Sequence, residues 1–175
     1  MCIRDSSEGH RIGDSLFDAR YVDECAELLA GGNILIPVDS RGLPAGAPFG
    51  PEGGPDDVAD FGEEIPDGFE GLDIGPLSIE IFTAALQGAR TIMWNGPMGV
   101  FEDPRFGAGT EAVARAIAAS PAVSVVGGGD SVAALASYQL ESDVSFVSTG
   151  GGASLELVEL GDLPGLRALR ESPWT

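Results

Sequence analysis

The sequence predicts an α/β fold in which a parallel sheet is flanked by helices. Three observations predict it. Short apolar runs alternate with helical patterns from Thr91 onward. Three of those runs end in glycine-rich turns, Trp94–Gly99 (WNGPMG), Gly127–Ser131 (GGGDS) and Ser148–Ser154 (STGGGAS). Each turn then leads into a helical pattern. A buried strand, a glycine turn and a helix start together present bare backbone N–H groups to an anion at a strand end. Three such turns read as several edges of one phosphate site.

The elements follow in order. Residues 1–7 (MCIRDSS) fit no pattern and are expected to be a non-native or disordered terminus. Tyr21, Val22, Cys25, Leu28 and Leu29 recur at helical spacing from Asp18 to Ala30, with Asp14, Ser15 or Asp18 as cap and Gly31-Gly32 as stop. Ile34-Leu35-Ile36 reads as a short buried strand ending at Pro37. Residues 40–71 are rich in Gly, Pro and Asp. A loop of this length is uncommon, so short edge strands or a surface excursion are expected. Asp73–Pro76 reads as a turn and Ser78–Gln87 as a helix with Ile79, Phe82, Ala85 and Leu86 on its apolar side. Then come a strand at Thr91–Trp94, a helix at Gly109–Ala119, a strand at Val123–Val126, a helix at Ser131–Gln139, a strand at Val144–Val147, and a last helix to about Glu159. This alternation means βαβ units, whose post-strand loops gather on one sheet edge.

Composition narrows the function. The chain has 175 residues, one domain's worth, and its 43% hydrophobic content suffices for a core. It holds no apolar run of about 18 residues and no signal-like start, so a cytoplasmic location is expected. Acidic residues number 28 against 9 basic, giving a net charge of -19, and every basic residue is Arg. This argues against nucleic acid or a membrane surface as partner. The ordinary reading of such an excess is a solvated acidic surface. Cys2 and Cys25 match no zinc or redox spacing, and a single histidine, His10, excludes multi-His metal sites.

At the turns the residues leave alternatives open. Asp130 and Ser131 stand at a helix start, where either could cap the helix or Asp130 could anchor Mg²⁺ on a nucleotide. Asn95 could donate its amide to a phosphate or stabilise its own turn. Glu102 could accept ribose hydroxyls or be a solvated carboxylate. No G-x-G-x-x-G and no G-x-x-x-x-G-K-[ST] is present.

Six motifs, in order and spacing, resemble the carboxyl-terminal half of phosphoglycerate kinase. They are LDIGP (Leu72–Pro76), TIMWNGPMGVFE (Thr91–Glu102), F-x-x-GT (Phe106–Thr110), VVGGGDS (Val125–Ser131), STGGGASLE (Ser148–Glu156) and LPG-x-x-AL (Leu163–Leu169). The resemblance covers roughly Ile12 to Leu169. It implies a Rossmann-like three-layer domain, incomplete here and running over residues 8–175 with an excursion at 40–71. It also implies reversible phosphoryl transfer between 1,3-bisphosphoglycerate and MgADP. Gly71 and Leu72 are then expected at the adenine pocket, Glu102 at the ribose, and Asn95, Gly96, Pro97 and Val100 along the nucleotide cleft. Gly128, Gly129, Asp130 and Ser131 are expected at the phosphates of ADP or ATP, with Asp130 on Mg²⁺. The amides of Gly128, Gly129, Gly151 and Gly152 are expected to face the transferring phosphoryl group and so to be catalytic. The family's phosphoglycerate site lies on an amino-terminal domain not found in this sequence, and its G-x-K-x-x-K segment is absent too. The chain is therefore expected to be a fragment that is inactive alone, from a family whose full-length members are usually monomeric. Leu160-Gly161 stands where the family usually has Gly-Lys.

Overall fold

The computed structural model describes residues 9–48, 50 and 58–171. The terminus expected over residues 1–7 lies outside them. The chain groups into two compact units, Met1–Gly88 with Pro97–Ala116 and Ala89–Gly96 with Ile117–Thr175.

The first unit begins its helical structure where Asp18 accepts the Arg20 N–H at 3.1 Å, capping a single 3-10 turn at Ala19–Tyr21. Helix α1 (Val22–Ala30) follows and ends at Gly31. Asp18, among the three candidates, is therefore the cap. Residues 40–74 then build an antiparallel sheet from β1 (Ser40–Pro44), β2 (Ala59–Phe61) and β3 (Phe69–Ile74), with β1 in the middle. The short strands expected in this Gly/Pro/Asp-rich stretch exist, and they pair with one another. Arg41 stands opposite Asp60 and binds it at 2.7 Å. Register slips by one residue between Arg41↔Asp73 and Gly42↔Gly71, so Leu72 is bulged out of the ladder.

Three expectations are corrected here. Ile34–Ile36 forms no strand, and Leu35 is 54% exposed. Apolarity favours a strand, but a ladder needs a neighbour, and no described residue supplies one. Asp73 and Ile74 belong to β3 and not to a turn, because both pair with β1. Helix α2 (Pro76–Leu86) starts two residues before Ser78, with Pro76 in its first turn, where a missing N–H costs nothing.

Helix α3 (Ala108–Ala118) leads from the first unit into the second. Phe106, Leu43, Ile65 and Ile74 are buried in the first unit. Two helix starts there are held by carboxylates distant in sequence. Asp39 accepts the N–H groups of Leu77 (2.9 Å) and Ser78 (2.8 Å) at the start of α2. Asp73 accepts the Gly109 N–H at 2.9 Å at the start of α3.

The second unit carries the parallel sheet, β4 (Thr91–Asn95), β5 (Val123–Gly127) and β6 (Phe146–Ser148), in the order 4-5-6. Helices α4 (Gly129–Ser137) and α5 (Gly151–Leu160) leave the ends of β5 and β6, and α6 (Pro164–Glu171) closes the described chain. Val126, Ala134 and Leu135 are fully buried, as the apolar patterns predict. The sequence reads the third apolar run as a buried strand. Among the described residues β6 has only β5 beside it, and Phe146 is 64% exposed. An edge strand buries less of itself than a central one.

Candidate functional site

In the second unit the three glycine turns converge at the carboxyl ends of β4, β5 and β6. The backbone calls for glycine at Gly128 and Gly151, besides Gly96 with its φ of +95°. Gly128 has φ of +98°, a region that side chains disfavour. A Cβ on Gly151 would stand 2.6 Å from the Gly128 Cα, so the second and third turns touch backbone to backbone. The first turn joins them through side chains. The Asn95 amide nitrogen lies 3.5 Å from the Gly151 carbonyl, and the Gly96 N–H donates to the Ser131 hydroxyl at 2.6 Å. Trp94 braces the same turn by donating its indole N–H to the Gly96 carbonyl at 2.7 Å.

These contacts separate roles that the sequence leaves mixed. Ser131 is fully buried and its hydroxyl is engaged with Gly96, so it shapes the turn. The Gly128 N–H donates to the Ser148 carbonyl at 3.1 Å. One of the four amides expected to face an anion, that of Gly128, is thus engaged inside the turn. Helices α4 and α5 both begin after a glycine with no side-chain cap. Their first N–H groups have no intrahelical acceptor, and each helix brings a partial positive charge to its start. Asp130 lies in the first turn of α4, exposed, and does not cap it.

The first unit holds the other expected residues. The bulge at Leu72 leaves its carbonyl free to accept the Val100 N–H at 2.9 Å, which brings Leu72 and Val100 together. The Gly71 N–H donates to the Ser15 hydroxyl at 3.0 Å. Pro97 is half-buried and Glu102 is exposed. Sequence reading missed Leu16, which follows Ser15 and is 97% exposed. A Leu16-Phe17 pair between polar residues gives no periodic signal. It also missed Asp73, which is fully buried and whose carboxyl is pushed up to about 6 by desolvation, against the opposing pull of the Gly109 and Ile74 N–H groups. An open apolar cavity of about 340 Å³ in this unit, lined by Leu35, Phe82, Ala85, Leu86, Met98 and Val113, contains none of the expected site residues.

The metal expectation rests on Asp130. Among the described residues no group of three or more Asp, Glu, His or Cys side chains gathers to hold an ion. One exposed carboxylate beside an uncapped helix start suits a Mg²⁺ that arrives already bound to phosphate oxygens, because this ion keeps few protein ligands. No helix among the described residues is long and apolar enough to cross a membrane.

Comparison with known proteins gives a single answer. The phosphoglycerate kinase family model matches residues 5–160. The phosphoglycerate kinase of Streptococcus uberis is 48% identical over 169 residues, covering 94% of this chain and 41% of that protein. That of Salinispora tropica is 51% identical over 166 residues, covering 93% of this chain and 40% of that protein. The solved structure of phosphoglycerate kinase from Coxiella burnetii matches with a TM-score of 0.84 at 34% identity, over 96% of this chain and 44% of that one. The chain spans about 40% of the length of the curated relatives it matches. The chain belongs to the phosphoglycerate kinase family.

Proposed function

We propose that this member of the phosphoglycerate kinase family supplies the nucleotide-binding half of a phosphoryl-transfer site. The reaction is transfer from 1,3-bisphosphoglycerate to MgADP, giving 3-phosphoglycerate and MgATP, and its reverse, as a step of cytoplasmic glycolysis. The observation that carries the reading is the pair of uncapped helix starts, α4 and α5, at the ends of adjacent parallel strands with the Asn95 turn beside them. Phosphoryl transfer needs little covalent chemistry from a protein. Positioning and fixed dipoles supply most of the rate.

In this reading the amides of Gly129, Gly151 and Gly152 hold phosphate oxygens and stabilise the transferring group. Asp130 meets the Mg²⁺ of the nucleotide, and Asn95 orients a phosphate. Gly71, Leu72 and Val100 receive the base, Pro97 flanks it, and Glu102 accepts from the ribose. The chain has no lysine to neutralise phosphate charge, and the two arginines near the end of the described chain, Arg167 and Arg170, are turned to Asp162. Turnover therefore needs a basic acceptor domain from outside these residues, and the chain alone is inactive. A non-catalytic nucleotide-binding module or a structural remnant is the competing reading.

Calorimetry with MgADP separates these. The proposal expects saturable binding that weakens when Asp130→Ala is introduced and when Mg²⁺ is withheld. No heat of binding at millimolar MgADP would leave only the structural remnant. Phosphoglycerate-dependent ATP turnover by the chain alone would overturn the division of labour.

A further inference from the structure

Two buried polar side chains lie outside the residues assigned above, yet they tie together the segments that carry Leu72 and Val100. Thr110 is fully buried in the first turn of α3, and its hydroxyl oxygen accepts the N–H groups of Met98 (3.1 Å) and Gly99 (3.3 Å). Asp73, also fully buried, accepts the N–H of Ile74 with one oxygen and that of Gly109 with the other, each at 2.9 Å. A Cβ on Gly99 or on Gly109 would collide with the Asp73 carboxylate, so both backbones press directly against it. The Leu72–Val100 hydrogen bond lies one residue away from both ends of this arrangement.

We propose that Thr110 and Asp73 are positioning residues for nucleotide binding, which set the spacing between the bulged Leu72 and the segment 97–100. A buried helix start with three open N–H groups has many ways to be satisfied. Here the sequence places a hydroxyl on the helix, which accepts from the loop at Met98 and Gly99, and a carboxylate on the strand, which accepts from the helix start at Gly109 and packs against Gly99. If the pair served stability alone, a cap on the helix itself would suffice. The fully buried Thr110 is spent on the loop and Asp73 packs against it at Gly99, next to the Val100 N–H that reaches the Leu72 carbonyl. The inference rests on the nucleotide reading above.

The test uses the whole chain with three variants, Thr110→Val, Thr110→Ser and Asp73→Asn. Thr110→Val keeps shape and removes the acceptor. Thr110→Ser keeps the acceptor. Asp73→Asn turns one of the two acceptors into a donor. Two quantities are read, MgADP affinity by calorimetry well below the thermal transition and hydrogen exchange at the Val100 amide. The expected result is about a tenfold weaker MgADP affinity and faster Val100 exchange for Thr110→Val and Asp73→Asn, with Thr110→Ser within about twofold of wild type. Thr110→Val binding as wild type does would overturn the inference, as would Thr110→Ser falling as far as Thr110→Val. If Thr110→Val does not fold, the serine and asparagine variants decide by the same two readouts. Wild type that fails to bind MgADP refutes the nucleotide reading, while unchanged Val100 exchange in the variants refutes the positioning role on its own.

Discussion

The two units solve the same local problem in opposite ways. Helices α2 and α3, which begin in the first unit, and α4 and α5 of the second each leave their first N–H groups without intrahelical partners. In the first unit those groups are met from within, by Asp39 at α2 and by Asp73 at α3. In the second unit α4 and α5 begin after glycines and receive no side-chain cap. A capped start is a finished structural joint. An uncapped start on a parallel sheet edge is an unfilled electrostatic demand that an anion can meet. The carboxylates themselves divide in the same way. Asp39 and Asp73 are spent on backbone, whereas Asp130 stands exposed beside the start it could have capped.

If this contrast is real, Asp39→Ala has the largest effect. It strips the start of α2 of two N–H partners and the fully buried Ser78 hydroxyl of one of its two acceptors, and costs about 3 kcal/mol in urea unfolding. A loss under about 0.5 kcal/mol would show that the cap is not what holds this helix. Gly151→Ala comes next. Its Cβ would meet the Gly128 Cα at 2.6 Å and the Gly128 nitrogen at 2.8 Å, both backbone atoms that cannot swing aside. About 2 kcal/mol of stability is lost, and MgADP affinity falls at least tenfold. Retained affinity would mean the two turns need not touch to form the cradle.

The pH dependence is smaller and tests two buried carboxylates of the first unit against each other. Asp73 titrates at about 6 in the folded chain, above its unfolded value. Its proton favours folding at about pH 4, and that contribution is lost as pH rises through 6. Asp103 behaves oppositely. The Arg105 guanidinium at 2.7 Å holds it far below the ordinary carboxylate range, so its contribution is present at neutral pH and fades in acid. Urea unfolding from about pH 2 to 7 should show Asp73→Asn removing the fall between about pH 4 and 6, and Asp103→Asn removing the rise below about pH 5. Identical profiles for wild type and Asp73→Asn would refute the buried-proton account. Smallest of all, Asp130→Ala should change stability by less than about 0.5 kcal/mol while weakening MgADP. A large destabilisation would make Asp130 structural and erase the contrast with Asp39.

Much of this was legible in the sequence, for local reasons. The glycine turns at Asn95, Gly128 and Gly151 announced themselves because only glycine tolerates positive φ or backbone contact there. Helices α3 and α4 followed from apolar spacing and fell within about two residues of expectation. What misled was environment. Ile34–Ile36 carries a strand's composition and no strand, and Phe146 sits in an apolar run at an exposed edge. Asp73 looked like a turn former in LDIGP, since nothing local reveals that Gly99 and Gly109 will close over it.

The sequence alone therefore determined the order of elements, the parallel sheet with its glycine turns and, through the spacing of six motifs, the family. Those properties depend on near neighbours along the chain. Only the tertiary structure decided which polar groups are used up and which stay open. It assigned the Gly128 amide to Ser148, the Ser131 hydroxyl to Gly96, and the Asp39 and Asp73 carboxylates to helix starts, while leaving the starts of α4 and α5 uncapped. A hydrogen bond has one partner at a time, and that partner is fixed by which distant segments the fold brings within 3 Å of each other.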